Sequence, residues 1–164
     1  MDSMSVGYFA AGALSQIAFH ELSHAAYARD AGIDYTTHIE GVSYRYHYFA
    51  DNRRDLARVS RMGYLVDTLT AEAVPWVDGW ENRPFLNGLY FGSILDRGKA
   101  AVEGEGDVPL IGRTGGPSEK TTRVLLGASV AVDLCRWRWP RNEWAVGVSV
   151  GLHGTLLVAF VREF

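Results

Sequence analysis

The His-Glu-x-x-His motif at residues 20–24 constrains the fold of this chain more than any other segment. It follows a long uncharged, mostly apolar stretch, and on a helix His20 and His24 lie one turn apart on the same face. Both imidazoles can then reach one metal ion, and Glu21 lies beside that ion, where it can take a proton from bound water. The motif therefore predicts a helix over residues 5–31 that carries a metal site.

Length and composition are those of one folded domain. The chain has 164 residues, of which 48% are hydrophobic and 21% charged, and this is enough to bury a core, so we expect residues 1–164 to form a single domain. The net charge of −3 gives no reason to expect nucleic acid as a partner. The one cysteine, Cys135, excludes an internal disulfide framework.

The rest of the pattern predicts a mainly α-helical fold with about four helices and two short hairpins. Residues 33–49 predict a β-hairpin after the first helix, with its turn at Glu40-Gly41. Three further helices are predicted, over residues 53–74, 84–102 and 118–137. Asp51 or Asn52 is the predicted cap of the helix at residues 53–74, and Ser118 is the predicted cap of the helix at residues 118–137.

The two remaining segments give weaker signals. The Gly- and Pro-rich stretch 103–117 predicts a mobile loop. Over residues 144–164, larger and smaller side chains alternate from Trp144 to Leu152, and this period of two predicts a C-terminal β-hairpin, with His153 at its turn and without metal-ligand spacing.

Two uncharged runs bear on membrane association. Residues 3–19 are diluted by Gly and polar residues, and the run reaches bilayer length only if Glu21 and both histidines lie inside. Residues 144–161 form a second run, of 18 residues, at the lower edge of spanning length. We expect a membrane-associated protein, with the bacterial inner membrane as its location and the cytoplasm as the alternative. The tryptophans and arginines of residues 136–144 predict either an interfacial belt or a packed corner.

A zinc site needs a third protein ligand, and two carboxylates are candidates for it. Glu72 falls on the apolar stripe of the second predicted helix, and Asp133 falls on that of the fourth. A carboxylate on a core-facing stripe is costly unless it is paired, hydrogen-bonded or bound to a metal. The alternative for each is a salt bridge with an arginine such as Arg58 or Arg123.

The segment His-Glu-Leu-Ser-His-Ala-Ala at residues 20–26, after an apolar helix, resembles the first motif of the site-2 protease family of intramembrane zinc metallopeptidases. The resemblance covers about residues 5–33. It implies that His20 and His24 bind zinc, that Glu21 is the general base, and that an aspartate from a later helix completes the site. Asp133 matches that aspartate by order along the chain, although Leu134 follows it where the family has glycine. With Glu72 instead, the ligand set would be similar to that of gluzincin-type peptidases.

Two hypotheses follow for the function. The first is a zinc metallopeptidase, membrane-associated, that hydrolyses peptide bonds of a peptide or protein substrate with metal-activated water. The second is a non-catalytic accessory or structural subunit of a membrane protein complex, in which the motif is vestigial or binds a structural metal. A fourth protein ligand, or a partner chain over the site, would favour the second hypothesis. A di-iron bundle would need a second Glu-x-x-His, and the chain has none.

Overall fold

The computed structural model of the protein describes residues 2–40, 43–49, 52–104 and 107–161. This part of the chain forms six α-helices and one antiparallel hairpin: α1 Ser3–Asp30, β1 Asp34–Glu40, β2 Ser43–Phe49, α2 Arg53–Ala73, α3 Pro84–Glu103, α4 Asp107–Arg113, α5 Glu119–Arg138 and α6 Glu143–Val161. Short 3-10 turns at Val74–Trp76 and Trp80–Asn82 connect α2 to α3. The prediction of a mainly α fold with a hairpin after the first helix is confirmed. Of the predicted turn at Glu40-Gly41, Glu40 ends β1 and Gly41 lies outside the described residues.

Side-chain caps fix where several helices begin. The Asn52 side chain accepts a hydrogen bond from the Asp55 amide at 2.9 Å, and the Ser118 hydroxyl accepts one from the Thr121 amide at 3.2 Å. Each cap satisfies an amide that has no partner within the helix, so α2 and α5 begin at residues that the sequence marks as helix starts.

The predicted C-terminal hairpin is wrong, because residues 143–161 form the single helix α6. The alternation of valine with glycine reflects a helix that is apolar on nearly all sides rather than a strand with two faces. Its buried residues recur with helical spacing and pack against α2 and α5: Ser149, His153, Leu156 and Phe160. Residues 162–164 of the predicted hairpin lie outside the described residues.

The predicted loop over residues 103–117 contains a further helix, α4. Its two fully buried side chains, Val108 and Ile111, join a core cluster with Tyr64 and Leu126. Burial of this short apolar face outweighs the turn-forming tendency of the neighbouring glycines. The helix count of the described part is therefore six rather than four.

The helix α2 lies at the centre of the bundle, in contact with α1, α3, α4 and α6. The helices α1 and α3 pack so closely that their backbones touch at three glycines. A Cβ atom on Gly92 would lie 2.9 Å from the Ala13 carbonyl oxygen, and side chains on Gly12 or Gly88 would collide with the facing backbone. This contact sets His20 opposite Asp96.

Polar and apolar side chains are distributed in an unusual way over the bundle. The interior holds many polar or charged side chains, among them Gln16, Arg61, Asp67, Arg97, Asp133, Arg136 and His153. Conversely, none of the exposed residues of α1 between Met4 and Ala26 is charged. Among the described helices, α6 is the one long and apolar enough to cross a membrane by length and composition.

Candidate metal centre

Each motif histidine is held through its Nδ1 atom by an acceptor on α2. His20 Nδ1 lies 2.8 Å from a carboxylate oxygen of Asp67, and His24 Nδ1 lies 2.7 Å from the carbonyl oxygen of Val59. A carboxylate and a carbonyl can only accept, so both Nδ1 atoms donate, and Nε2 is the nitrogen of each ring that a metal could bind once it is deprotonated. Histidines that bind metals are commonly held in this way, by a carboxylate or a backbone carbonyl on the other ring nitrogen.

Both Nε2 atoms point at the same position, in front of Gly63 of α2. A Cβ atom built on Gly63 would lie 2.6 Å from His24 Nε2 and still closer to His20 Nε2. These separations are far below van der Waals contact. The missing side chain of Gly63 therefore gives the two rings room to converge, and a larger residue at this position would displace them.

A carboxylate that the sequence analysis did not select lies beside this position. Asp107, the first residue of α4, has a carboxylate oxygen 3.1 Å from His24 Nε2. One ligand atom from each of His20, His24 and Asp107 can be chosen so that all lie within 4.8 Å of one another. The burial of Val108 and Ile111 fixes α4 and thereby Asp107. Two imidazoles and one carboxylate are a ligand set that zinc accepts.

Glu21 is half-buried and directly follows His20 on α1. It interacts electrostatically with His20, His24 and Asp107. The role of proton acceptor that the motif predicts for Glu21 stays a prediction.

A second acidic group lies behind His20, on the Nδ1 side of its ring. Asp67 accepts a hydrogen bond from the Gln16 side-chain amide at 2.9 Å, and Asp96 of α3 lies 3.4 Å from His20 Nδ1. Gln16 and Asp67 are fully buried. This group holds the imidazole from behind, so it supports the ring orientation that directs Nε2 to Gly63.

The two predicted third ligands, Glu72 and Asp133, are not brought to the histidine pair. They lie in a separate buried cluster around His153, whose Nδ1 is 2.9 Å from Glu72 and whose Nε2 is 3.1 Å from Asp133. Arg97 pairs with Asp133 at 2.6 Å and Arg136 pairs with Glu72 at 3.0 Å.

This arrangement corrects the prediction that Glu72 or Asp133 would be the third ligand. Both carboxylates do face the core, as their stripes indicated, and the salt-bridge alternative describes them. The arginine partners differ from those considered: Arg123, for example, donates to the carbonyl oxygens of Ala101 and Val102.

Of the residues around the histidine pair that the sequence analysis does not select, those on α2 share a helical spacing. Val59, Gly63 and Asp67 lie one helical turn apart, on a single face of α2. This face supplies the carbonyl oxygen that holds His24, the space for both imidazoles and the carboxylate that holds His20. Asp107 carries no comparable signal, because it follows a glycine-rich stretch that is typical of loops.

Comparison of the chain with protein-family models, with curated proteins and with solved structures finds no match.

Proposed function

We propose that the protein is a zinc-dependent metallopeptidase embedded in a membrane. The observation that carries this proposal is the convergence of the Nε2 atoms of His20 and His24 at Gly63, with the carboxylate of Asp107 beside them. Each ring is held from behind by a group that can only accept a hydrogen bond, which is the arrangement expected of metal ligands.

The composition of the ligand set supports a catalytic rather than a purely structural metal. Structural zinc sites have four protein ligands, whereas catalytic sites have three and leave a position open to water. Within the described ranges, no fourth His, Cys, Asp or Glu joins His20, His24 and Asp107. The side chain of Asp107 is partly exposed, so small molecules can reach this side of the site.

The side chains of this chain then have assignable roles. When bound, a zinc ion supplies a Lewis acid that polarises the scissile carbonyl and lowers the pKa of water. Glu21 accepts the proton of the attacking water and returns it to the leaving amine. Asp67 and the Val59 carbonyl hold the two imidazoles in the orientation that turns Nε2 towards the metal position.

The distribution of charge supports membrane embedding. Between Trp144 and Val161, α6 has no ionisable side chain except the buried His153. These 18 residues extend over about 27 Å as a helix, close to the thickness of a bilayer hydrocarbon core of about 30 Å. The exposed residues of α5 between Val124 and Trp137 are also uncharged. A chain with ionisable groups inside and uncharged helix faces outside matches a lipid environment.

Metal content and hydrolysis together test this function. Purified wild-type protein should carry about one zinc ion per chain and cleave a quenched fluorescent casein. Glu21→Gln should retain the metal and lose hydrolysis, whereas His24→Ala and Asp107→Ala should lose both. Correctly folded wild-type protein that binds no zinc, or an active Glu21→Gln variant, would contradict the proposal.

The non-catalytic subunit remains a second candidate because large apolar side chains are exposed on α1 and α6, where a partner chain could cover them: Leu14, Ile17, Phe19, Val148 and Val158. This candidate predicts stoichiometric metal without hydrolysis in the wild type. Copurification of a stoichiometric partner that covers α1 or α6, together with that result, would favour it over the peptidase.

A further inference from the structure

All five tryptophans of the chain lie at the end of the bundle where α2 and α5 end and α3 and α6 begin: Trp76, Trp80, Trp137, Trp139 and Trp144. Contacts join these elements into one surface. Arg141, in the turn between α5 and α6, pairs with Glu81 at 3.3 Å, and the Trp137 ring lies 6.2 Å from that of Phe91 on α3. We refer to this surface as the tryptophan end.

Four of the five indoles are exposed at this end, from Trp137 at 42% to Trp144 at 83%. The fifth, Trp80, packs in the core against Tyr90 at a ring separation of 4.9 Å. Exposed indoles are costly in water because of their large apolar rings, whereas the N–H group makes full burial in hydrocarbon costly as well. The interface between lipid headgroups and acyl chains satisfies both parts of the side chain.

Arginines accompany the exposed indoles. The guanidinium of Arg138 lies 5.7 Å from the centre of the Trp139 ring. Arg83 and Arg141 are exposed at the same end. Guanidinium groups form bidentate hydrogen bonds with phosphate, so this rim fits the headgroups of phospholipids.

The metal centre lies at the opposite end of the bundle. Phe160, near the end of α6, stacks on Tyr64 at 6.1 Å, and the Tyr64 ring lies 5.5 Å from the ring of His20. Trp144 and Phe160 are 16 residues apart on one helix, a rise of about 24 Å. The histidine pair is therefore separated from the tryptophan end by most of the uncharged length of α6.

We propose that the tryptophan end anchors the protein in the headgroup region of one leaflet, with phospholipid as its partner, and that the metal centre lies towards the other leaflet. The uncharged faces of α5 and α6 continue directly from the tryptophan end, which favours lipid over a protein partner at this surface. The inference rests on the membrane part of the proposed function and is independent of the peptidase part.

Depth-dependent quenching of tryptophan fluorescence tests the anchor. The protein is reconstituted into phosphatidylcholine–phosphatidylglycerol vesicles whose acyl chains carry bromine near either the carbonyl end or the methyl end. Bromine near the carbonyl end should lower the emission about twofold more than bromine near the methyl end, because indoles at the interface are shallow. Equal emission with brominated and plain lipid, or stronger quenching by deep bromine, would overturn the proposal.

Two variants sharpen the measurement. A chain that retains only Trp144, with the other four tryptophans replaced by phenylalanine, should show the full depth preference. A chain that retains only the buried Trp80 is the matched control and should be quenched weakly at both depths.

Flotation of the same vesicles separates the possible failures. Protein that floats with the vesicles without quenching contradicts the anchor and leaves membrane association intact. Protein that does not float contradicts both, and zinc binding measured on the same sample reports on the metal centre by itself. A second copy seated on the tryptophan end would appear as a dimer in detergent without quenching in vesicles, which also overturns the proposal.

Discussion

Gly63 of α2 faces His20 of α1 so closely that any side chain on residue 63 would lie between the two motif imidazoles. The α2 helix thus contributes to the candidate metal centre through the absence of a side chain. The carboxylate of Asp67, one turn further along the same face, holds His20 from the other side.

Gly63→Ala should abolish zinc binding although every predicted ligand is retained. The new methyl group would occupy the position between the Nε2 atoms and would push the rings apart. Zinc content by elemental analysis, beside far-UV circular dichroism, checks this. The matched control is Gly98→Ala on α3, where the new Cβ would meet only Val130 at 3.9 Å. A Gly63→Ala protein with full zinc content would exclude the position in front of Gly63 as the metal site.

Asp67→Asn should weaken zinc binding without removing it. The amide oxygen still accepts the hydrogen bond from His20 Nδ1, but the negative charge that raises the basicity of the ring is lost. Affinity should fall about 10- to 100-fold, measured by competition with a chromogenic chelator. Asp34→Asn, at an exposed position at the start of β1, serves as the control and should leave the affinity unchanged. An unchanged affinity in Asp67→Asn would mean that the carboxylate does not act on the metal through His20.

Removal of zinc should lower the thermal stability of the wild-type protein. A ligand that binds only the folded state at 100 times its Kd raises the free energy of unfolding by about 2.7 kcal/mol. We therefore expect a lower Tm after chelation and its recovery on addition of zinc, followed by circular dichroism in detergent. His24→Ala should show a Tm that does not respond to chelator or zinc, and a response as large as that of the wild type would argue for binding elsewhere.

Asp133→Asn should destabilise the fold and leave zinc binding unchanged. Asp133 pairs with Arg97 at 2.6 Å inside the bundle, and removal of one partner of a buried pair costs about 3–5 kcal/mol. Thermal unfolding gives the loss of stability, and elemental analysis of the folded fraction gives the zinc content. Glu143→Gln, on the exposed first turn of α6, should change stability by less than about 0.5 kcal/mol. Loss of zinc from folded Asp133→Asn would restore the sequence-based assignment of Asp133 as a ligand.

The sequence was sufficient to predict the motif helix, the first hairpin and the orientation of Glu72 and Asp133 towards the core, because each depends on local periodicity. His20, Glu21 and His24 are near neighbours along one helix, so their spacing alone brings them together. The third position depends on α4, whose burial of Val108 and Ile111 is a tertiary effect that no local pattern encodes. The prediction of a hairpin in place of α6 is wrong because a helix that is apolar on all sides shows no amphipathic periodicity.

An apolar stripe on a helix shows which face is buried, but it does not show which residues that face contacts. The burial of Glu72 and Asp133 is therefore predicted correctly, whereas their place beside the histidine pair is not. Their partner His153 lies on α6, the element whose type was mispredicted, so its approach to both carboxylates could not be foreseen.

The contact of α1 with α3 has a consequence for how the site can move. Helices that touch backbone to backbone at Gly12, Gly88 and Gly92 have no flexible side chains between them to absorb a sliding motion. The two helices therefore move as one unit together with the histidines. Asp107 stands outside this pair, on α4, so the distance between its carboxylate and the imidazoles changes only if α4 shifts and exposes Val108 and Ile111.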